Sequence, residues 1–376
     1  MSDAITEPRD LLRPSITKVE PYRTIEPVEV AAARRGLSPD RILRLNANEN
    51  PYGTPLRVQE ALASFDQYHL YPDPESRDVR ALLANYTGLD AGRIIVGNGS
   101  DEIIDLLFWL FVEPGEAALI PTPTFGMYQA RAEVFGARVR AVPRKADFSL
   151  DSDAMEAALT PDVKLVFLAS PNNPSGNLCR ERDIIRLLRH DVIVVVDEAY
   201  FEFSGRTVAP LIREFDNLVV LRTFSKWAGL AGLRIGYGLM PRWMADEAWR
   251  IKQPYNVNVA AQVAVRAVFD EMAYFRSTIR RIRLERLRMY RALRKLNFVR
   301  PLESKANYLL VHVLHGGSAA LQEWLEEDGI FVRRYSSPDL ADSVRISVGK
   351  PEDTDRLMRR MTLLAQRYAR EMESGQ

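Results

Sequence analysis

From about residue 46 to 275, short runs rich in β-branched residues alternate with helical patterns. Positions 94–96, 117–120, 163–168, 192–196 and 218–221 read as strands. The run at 192–196 (VIVVV) is apolar at every position, as expected of a strand covered by helices on both faces. Helical patterns at 102–111 and 180–189 lie between such runs. The alternation predicts an open, mainly parallel α/β sheet.

The flanks differ. Residues 1–45 are rich in proline and charge with little periodicity, and read as an arm that wraps onto another part of the protein. A long helix is predicted over 274–297. Ile279, Ile282, Met289, Tyr290, Leu293 and Leu296 fall on one side, and Arg276, Arg280, Arg281, Arg288, Arg291 and Lys295 on the other. The basic side reads as a solvated face rather than a polyanion site. Strands near 308–313 and 344–348 with a helix at 318–328 predict a smaller α+β unit. The expected division is an arm of 1–45 belonging with the small domain, a large domain of 46–275 and a small domain of 276–376.

Composition adds mostly exclusions. The chain is 47% hydrophobic and 27% charged, ordinary for a globular protein. Its 51 Lys and Arg nearly cancel 50 Asp and Glu, so bulk charge points to neither nucleic acid nor a membrane surface. Cys179 is the one cysteine, so no intrachain disulfide forms. His69, His190, His312 and His315 are scattered without metal-ligand spacing, and no metal is expected. The apolar stretch 106–112 is too short to span a bilayer. The acidic N-terminus does not resemble a secretory signal, so a cytoplasmic location is expected.

In open α/β sheets ligands sit beyond the carboxyl ends of the strands. Four polar segments follow predicted strands. Residues 97–102 (GNGSDE) combine two glycines with a helix start, an arrangement suited to phosphate but equally that of a plain loop and cap. Residues 170–176 (SPNNPSG) make a good turn that can also present an amide. Asp197 ends the most apolar strand, where a carboxylate is costly unless paired; a protonated ring nitrogen would pair it, and capping a helix is the alternative. Tyr200 can face the same site. Residues 223–237 (TFSKWAGLAGLRIGY) set Lys226 among small and apolar neighbours, where burial makes an amine a usable nucleophile toward carbonyls. Ser225 and Arg234 can serve a phosphate.

A lysine, a carboxylate for a pyridinium nitrogen and a phosphate cradle are what pyridoxal 5'-phosphate requires of a protein. In this order the segments resemble the fold-type I pyridoxal-phosphate aminotransferases, and within them most closely the histidinol-phosphate aminotransferase family. The likeness runs from about residue 21 to 349. It is carried by 45–53 (LNANENPYG), 71–73 (YPD), 98–102, 123–128 (PTFGMY), 171–176, 196–200 (VDEAY), 225–237, 256–258 (NVN) and 344–349 (VRISVG).

The resemblance implies roles. Lys226 would condense with the cofactor aldehyde and shuttle the proton. Asp197 would hold the ring nitrogen, and Asn173 and Tyr200 the ring hydroxyl. Phe125 would stack on the ring, with Tyr128 nearby. Gly99, Ser100, Asp101, Thr223, Ser225 and Arg234 would surround the phosphate, joined by Tyr71 from a partner subunit. Substrate would meet Tyr22, Asn48, Asn173, Tyr71, Arg333 and Arg345. The implied enzyme is a homodimer with shared active sites that moves an amino group from L-histidinol phosphate to 2-oxoglutarate. Other readings on the same scaffold are an aromatic amino-acid aminotransferase, a decarboxylase of a phosphorylated amino acid, and a regulator without catalysis. Two departures stand out. Serine occupies position 175, where threonine is frequent in the family. Arg334 follows Arg333 where an acidic residue is common, adding a cation that lies either at the substrate mouth or in solvent.

Overall fold

The computed structural model describes residues 7–21 and 24–373. Its strands, in chain order, are β1 (Leu43–Leu45), β2 (Ile94–Gly97), β3 (Ala117–Thr122), β4 (Arg138–Pro143), β5 (Val163–Ala169), β6 (Ile193–Asp197), β7 (Leu218–Thr223), β8 (Gly236–Leu239), β9 (Val299–Pro301), β10 (Tyr308–Val313), β11 (Ile330–Arg334) and β12 (Ser343–Ser347). A seven-stranded sheet has the order β2-β8-β7-β6-β5-β3-β4. Within it β4, β3, β5, β6 and β7 pair in parallel, and β8 is antiparallel to both neighbours. The mainly parallel sheet expected from the alternation is present.

Burial alternates along each central strand. Val194 and Val196 join one hydrophobic cluster with Val166, Leu168 and Val220, while Val195 joins a second with Leu165, Phe167, Val219 and Leu221. Side chains in a strand point alternately to opposite faces. A strand apolar at every position therefore needs cover on both sides, which is why 192–196 carries no polar residue.

A five-stranded sheet has the order β1-β11-β12-β10-β9. Its first strand comes from the N-terminal arm, with Leu43–Leu45 running parallel to β11. Helix Val28–Arg35 is held beside it through Arg35, which is paired with Glu323 and Glu326. The long helix predicted at 274–297 is Met272–Leu293, burying Phe275, Thr278, Ile282, Glu285, Met289 and Leu293.

Some elements escaped the pattern. Helix Pro351–Glu373 is mostly polar, with its buried residues spaced about a turn apart. β4 is an edge strand whose residues are largely exposed, so it carries little apolar signal. β8 (GYGL) reads as loop because of its glycines, yet it lies inside the sheet.

A buried ion pair ties β6 to β7. Arg222 and Glu198 are 3% and 2% exposed at the side chain and meet at 2.9 Å. Thr207 and the Val208 N–H also donate to the Glu198 carboxylate, and the guanidinium lies 3.8 Å from the Phe201 ring centre. Removing one partner strands a buried charge. Arg222→Met should cost about 3–5 kcal/mol in urea unfolding of the apoprotein, and adding Glu198→Leu should recover most of it.

Candidate active site

The carboxyl ends of β2, β3, β5, β6 and β7 open into one cavity of about 350 Å³, closed on its other side by residues of the small sheet and the arm. It is lined by Asn48, Ser100, Asp101, Phe125, Asn173, Asp197, Tyr200, Thr223, Ser225, Lys226, Arg234, Arg333 and Arg345, among others. Most of the residues singled out in the sequence thus meet in one place.

Lys226 follows β7, and its Nζ donates to the Ala47 carbonyl at 3.3 Å. Burial, reinforced by the nearby Arg345 guanidinium, lowers its pKa from 10.5 to about 8. A sizeable fraction of the amine is then neutral near physiological pH, as a nucleophile toward a carbonyl requires.

Asp197 ends β6 and is 6% exposed. Its Oδ2 accepts the Tyr128 hydroxyl at 2.6 Å and its Oδ1 accepts the Ala199 N–H at 3.0 Å. Burial still dominates and raises the carboxyl to about 6 from 3.8. No salt bridge to this carboxylate forms among the described residues, so it is a buried anion that a cationic ligand would neutralise. Tyr128 is fully buried and its phenol is pushed well above the ordinary range, which keeps it a donor.

The opposite end of the cavity is built for an anion. Helix Ser100–Phe111 starts there, after Gly99 at φ 80. A Cβ on Gly99 would stand 2.7 Å from Arg234 Nη2, and one on Gly236 would collide with the Ser100 nitrogen. Bare backbone at both positions lets the guanidinium and the helix N-terminus converge. Arg234 Nη2 also pairs with Asp101 at 3.0 Å. The Thr223 and Ser225 hydroxyls lie 2.9 Å apart here, and Thr223 Oγ1 also reaches the Ile235 carbonyl at 3.3 Å.

The third wall carries Arg333 on β11 and Arg345 on β12, which are direct cross-strand partners. Arg345 Nη1 donates to Asn173 Oδ1 at 2.8 Å and Nη2 to the Asn46 carbonyl at 2.6 Å. Arg334 points to the other side of β11, where its Nε donates to Gln322 Oε1 at 3.1 Å. It does not line the cavity, which settles in favour of the outer surface the choice left open by the sequence.

Two expected site residues behave differently, and a third is not among the described residues. Gly99 stands behind Arg234 rather than on the lining. Tyr71 is 81% exposed and stacks on Tyr255 with ring centres 4.5 Å apart, away from this chain's cavity. Tyr22 lies outside the described residues, although Thr24 and Ile25 do line the cavity. Thr24, Ile25, Thr124 and Tyr335, which carry no functional signal in the sequence, also line it. Nothing in their residue types marks them; the pairing of β1 with β11 and the ion pairs of Arg35 hold the arm beside the small sheet.

A buried carboxylate without a cationic partner among the described residues, an amine of lowered pKa, a half-buried phenyl ring and an anion cradle fit a phosphorylated pyridine aldehyde. The unpaired charge on Asp197 and the glycine clearance at the cradle carry that fit.

Comparison with known proteins agrees. The family described as aminotransferase class I and II matches residues 40–361. A histidinol-phosphate aminotransferase of Roseiflexus castenholzii is 46% identical over 357 residues, covering 93% of this chain and 96% of that protein. One from Dehalococcoides mccartyi is 46% identical over 320 residues, covering 85% and 89%. Among solved structures, histidinol-phosphate aminotransferase from Sinorhizobium meliloti in complex with pyridoxal-5'-phosphate superposes with a TM-score of 0.86 at 26% identity, covering 95% of this chain and 98% of that one.

The raised pKa of Asp197 has a consequence for stability. The folded apoprotein holds a proton that the unfolded chain has lost between about pH 3.8 and 6. Stability therefore falls as pH rises through that window, by about 3 kcal/mol in all. Asp197→Asn removes the loss. The variant apoprotein should exceed the parent in urea unfolding, by about 2–3 kcal/mol at pH 8 and by clearly less at pH 5.

Proposed function

The chain belongs to the family of class I and II aminotransferases, and on that premise we propose that it transfers the amino group of L-histidinol phosphate to 2-oxoglutarate, giving imidazole acetol phosphate and glutamate, a step of histidine biosynthesis. The observation that carries this reading is the cross-strand pair Arg333 and Arg345, facing a cavity that also holds Lys226. Like charges directly opposite each other on a sheet repel. A phosphate dianion between them turns that repulsion into two charge-assisted contacts. Relatives bearing the histidinol-phosphate aminotransferase name at 44–46% identity support the same donor.

The cofactor in this reading is pyridoxal 5'-phosphate. Lys226 would hold its aldehyde carbon, Asp197 its ring nitrogen, Asn173 and Tyr200 its ring hydroxyl, and Phe125 a ring face. Ser100, Asp101, Thr223, Ser225 and Arg234, with Gly99 giving room, would hold its phosphate. When bound, it supplies a sink for the electron pair left when the C–H bond beside the substrate nitrogen breaks.

The chain's own groups do the rest. Lys226 Nζ, neutral in part near pH 8, takes the proton from the amine-bearing carbon and later returns one. Asp197 holds a proton on the nitrogen opposite it, which the buried carboxylate favours. Arg345 binds the carboxylate of glutamate or 2-oxoglutarate, and Arg333 joins it for the phosphate of the first donor. Asn48 lies at the substrate side, and Tyr22 would close over it.

The reading extends to architecture. Residues 1–45 and 276–376 form a small domain and 46–275 the large one, supported by the pairing of β1 with β11. The enzyme is a cytoplasmic homodimer in which Tyr71 of the partner subunit reaches the cofactor phosphate, supported by the exposure of Tyr71 outside its own cavity. No helix among the described residues is long and apolar enough to cross a membrane.

A donor panel tests the activity. Histidinol phosphate should give a higher kcat/KM than phenylalanine or tyrosine with 2-oxoglutarate as acceptor; a preference for an aromatic donor would overturn the assignment. Lys226→Ala should lower kcat by about 10³-fold or more while the protein still binds the cofactor noncovalently. Arg333→Ala should lower kcat/KM for histidinol phosphate by roughly 10–100-fold and leave phenylalanine much less affected. Equal losses would remove Arg333 from phosphate recognition.

A further inference from the structure

A chain of buried hydrogen bonds runs from the small sheet to Tyr200. Asn48 adopts φ 54, a left-handed conformation that asparagine tolerates better than most residues. It is 1% exposed, and Ser347, at the end of β12, is 2% exposed. The Asn48 N–H donates to Ser347 Oγ at 2.9 Å, and the Ser347 hydroxyl donates to Asn48 Oδ1 at 2.9 Å. A backbone N–H is only a donor, so the serine oxygen must accept there and has its single proton for Oδ1. This favours the carboxamide with its oxygen toward Ser347 and its NH2 toward Tyr200, because the reverse orientation takes from the buried serine proton its acceptor at Oδ1. Asn48 Nδ2 donates to Tyr200 Oη at 3.0 Å. Asn307, fully buried, donates from Nδ2 to the Asn48 carbonyl at 2.9 Å and fixes the backbone at this point.

The consequence falls on the phenol proton. Tyr200 Oη is occupied as an acceptor, and its own O–H makes no bond to a protein acceptor among the described residues. The residue lines the cavity. Burial raises the phenol to about 12, so the proton is retained at neutral pH. We propose that Ser347 and Asn48 are positioning residues that fix Tyr200 as a hydrogen-bond donor into the cavity, toward the ring oxygen of the bound cofactor. This rests on the cofactor reading given above, and it gives Asn48 a role beyond substrate contact. A donor aimed at an oxygen favours its ionised form. The Ser347–Asn48 unit therefore holds down the pH at which the bound cofactor gives up its proton.

The test is a pH titration of the visible absorption of the holoenzyme. Ser347→Ala frees the carboxamide to turn, letting Tyr200 donate to Oδ1 instead of the cofactor. The absorbance midpoint should rise by about half a unit to one unit, the worth of one hydrogen bond. Ser347→Thr, which keeps the hydroxyl, should stay near the parent. In a Tyr200→Phe background Ser347→Ala should add no further shift, because the two act through one group. Asn48→Gly keeps the left-handed backbone accessible and removes the Nδ2 donor that orients the Tyr200 hydroxyl, so it should also raise the midpoint, by less than Ser347→Ala, and serves if Ser347→Ala does not fold. An unchanged midpoint in a folded Ser347→Ala or Asn48→Gly holoenzyme overturns the inference, as does a shift that persists in the Tyr200→Phe background. A parent protein that shows no cofactor band at any pH would instead overturn the cofactor assignment, and this inference with it.

Discussion

Parallel strands deliver their carboxyl ends to one edge of a sheet, and here that edge places a carboxylate and an amine where water solvates neither well. Asp197 and Lys226 follow from adjacent strands, β6 and β7. Both have pKa values moved toward neutrality by burial, the acid up and the base down. Folding both charges into that space is unfavourable by itself. The buried Tyr128 hydroxyl and the Ala199 N–H meet the carboxylate in part, and the Ala47 carbonyl meets the amine. What remains unsatisfied is matched by a ligand carrying a cationic ring nitrogen and an electrophilic carbon. The reactivity of the site is thus an outcome of its burial.

The sheet alone does not complete the cavity. A short segment between β1 and the first long helix, residues 46–50, joins the two sheets at this point. The Asn46 carbonyl accepts from Arg345, the Ala47 carbonyl from Lys226, and the Asn48 side chain bridges Ser347 and Tyr200. Asn50 Nδ2 donates to the Trp227 carbonyl at 2.7 Å, next to the reactive lysine. The segment has no regular hydrogen-bonding pattern of its own, which frees its backbone carbonyls to serve as acceptors. The Asn48 and Asn50 side chains each serve a different wall, while Asn46 contributes its backbone carbonyl.

These relations explain what the sequence made legible. Strands β5, β6 and β7 were visible because burial on two faces forces an unbroken apolar run, and the polar residue ending each run marked the site. Lys226, Asp197 and Arg234 stood out because their neighbours are small or apolar. β4 and β8 were not visible, one because it is exposed at the sheet edge and the other because glycines replace the side chains that would reveal it. The bond from Tyr128 to Asp197 joins residues 69 apart, and no local spacing encodes it. The same holds for Ser347, which reads as an ordinary strand serine until the left-handed turn at Asn48 brings the carboxamide against it.

Arg333, Arg334 and Arg345 show how register decides function where composition does not. Side chains alternate along a strand, so of two consecutive arginines on β11 one faces the cavity and the other cannot. Arg333 is paired across the ladder with Arg345, and Arg334 with Val344. A slip of one residue would turn Arg333 to the outer face and put Arg334 into the cavity. Cross-strand like charges are unfavourable alone, and Arg345 is 7% exposed. Asn173 and the Asn46 carbonyl accept from Arg345 and hold its guanidinium toward the cavity. In the proposed reaction a substrate phosphate or carboxylate would meet both guanidiniums, so the register that sets Arg333 beside Arg345 also sets where that anion would bind.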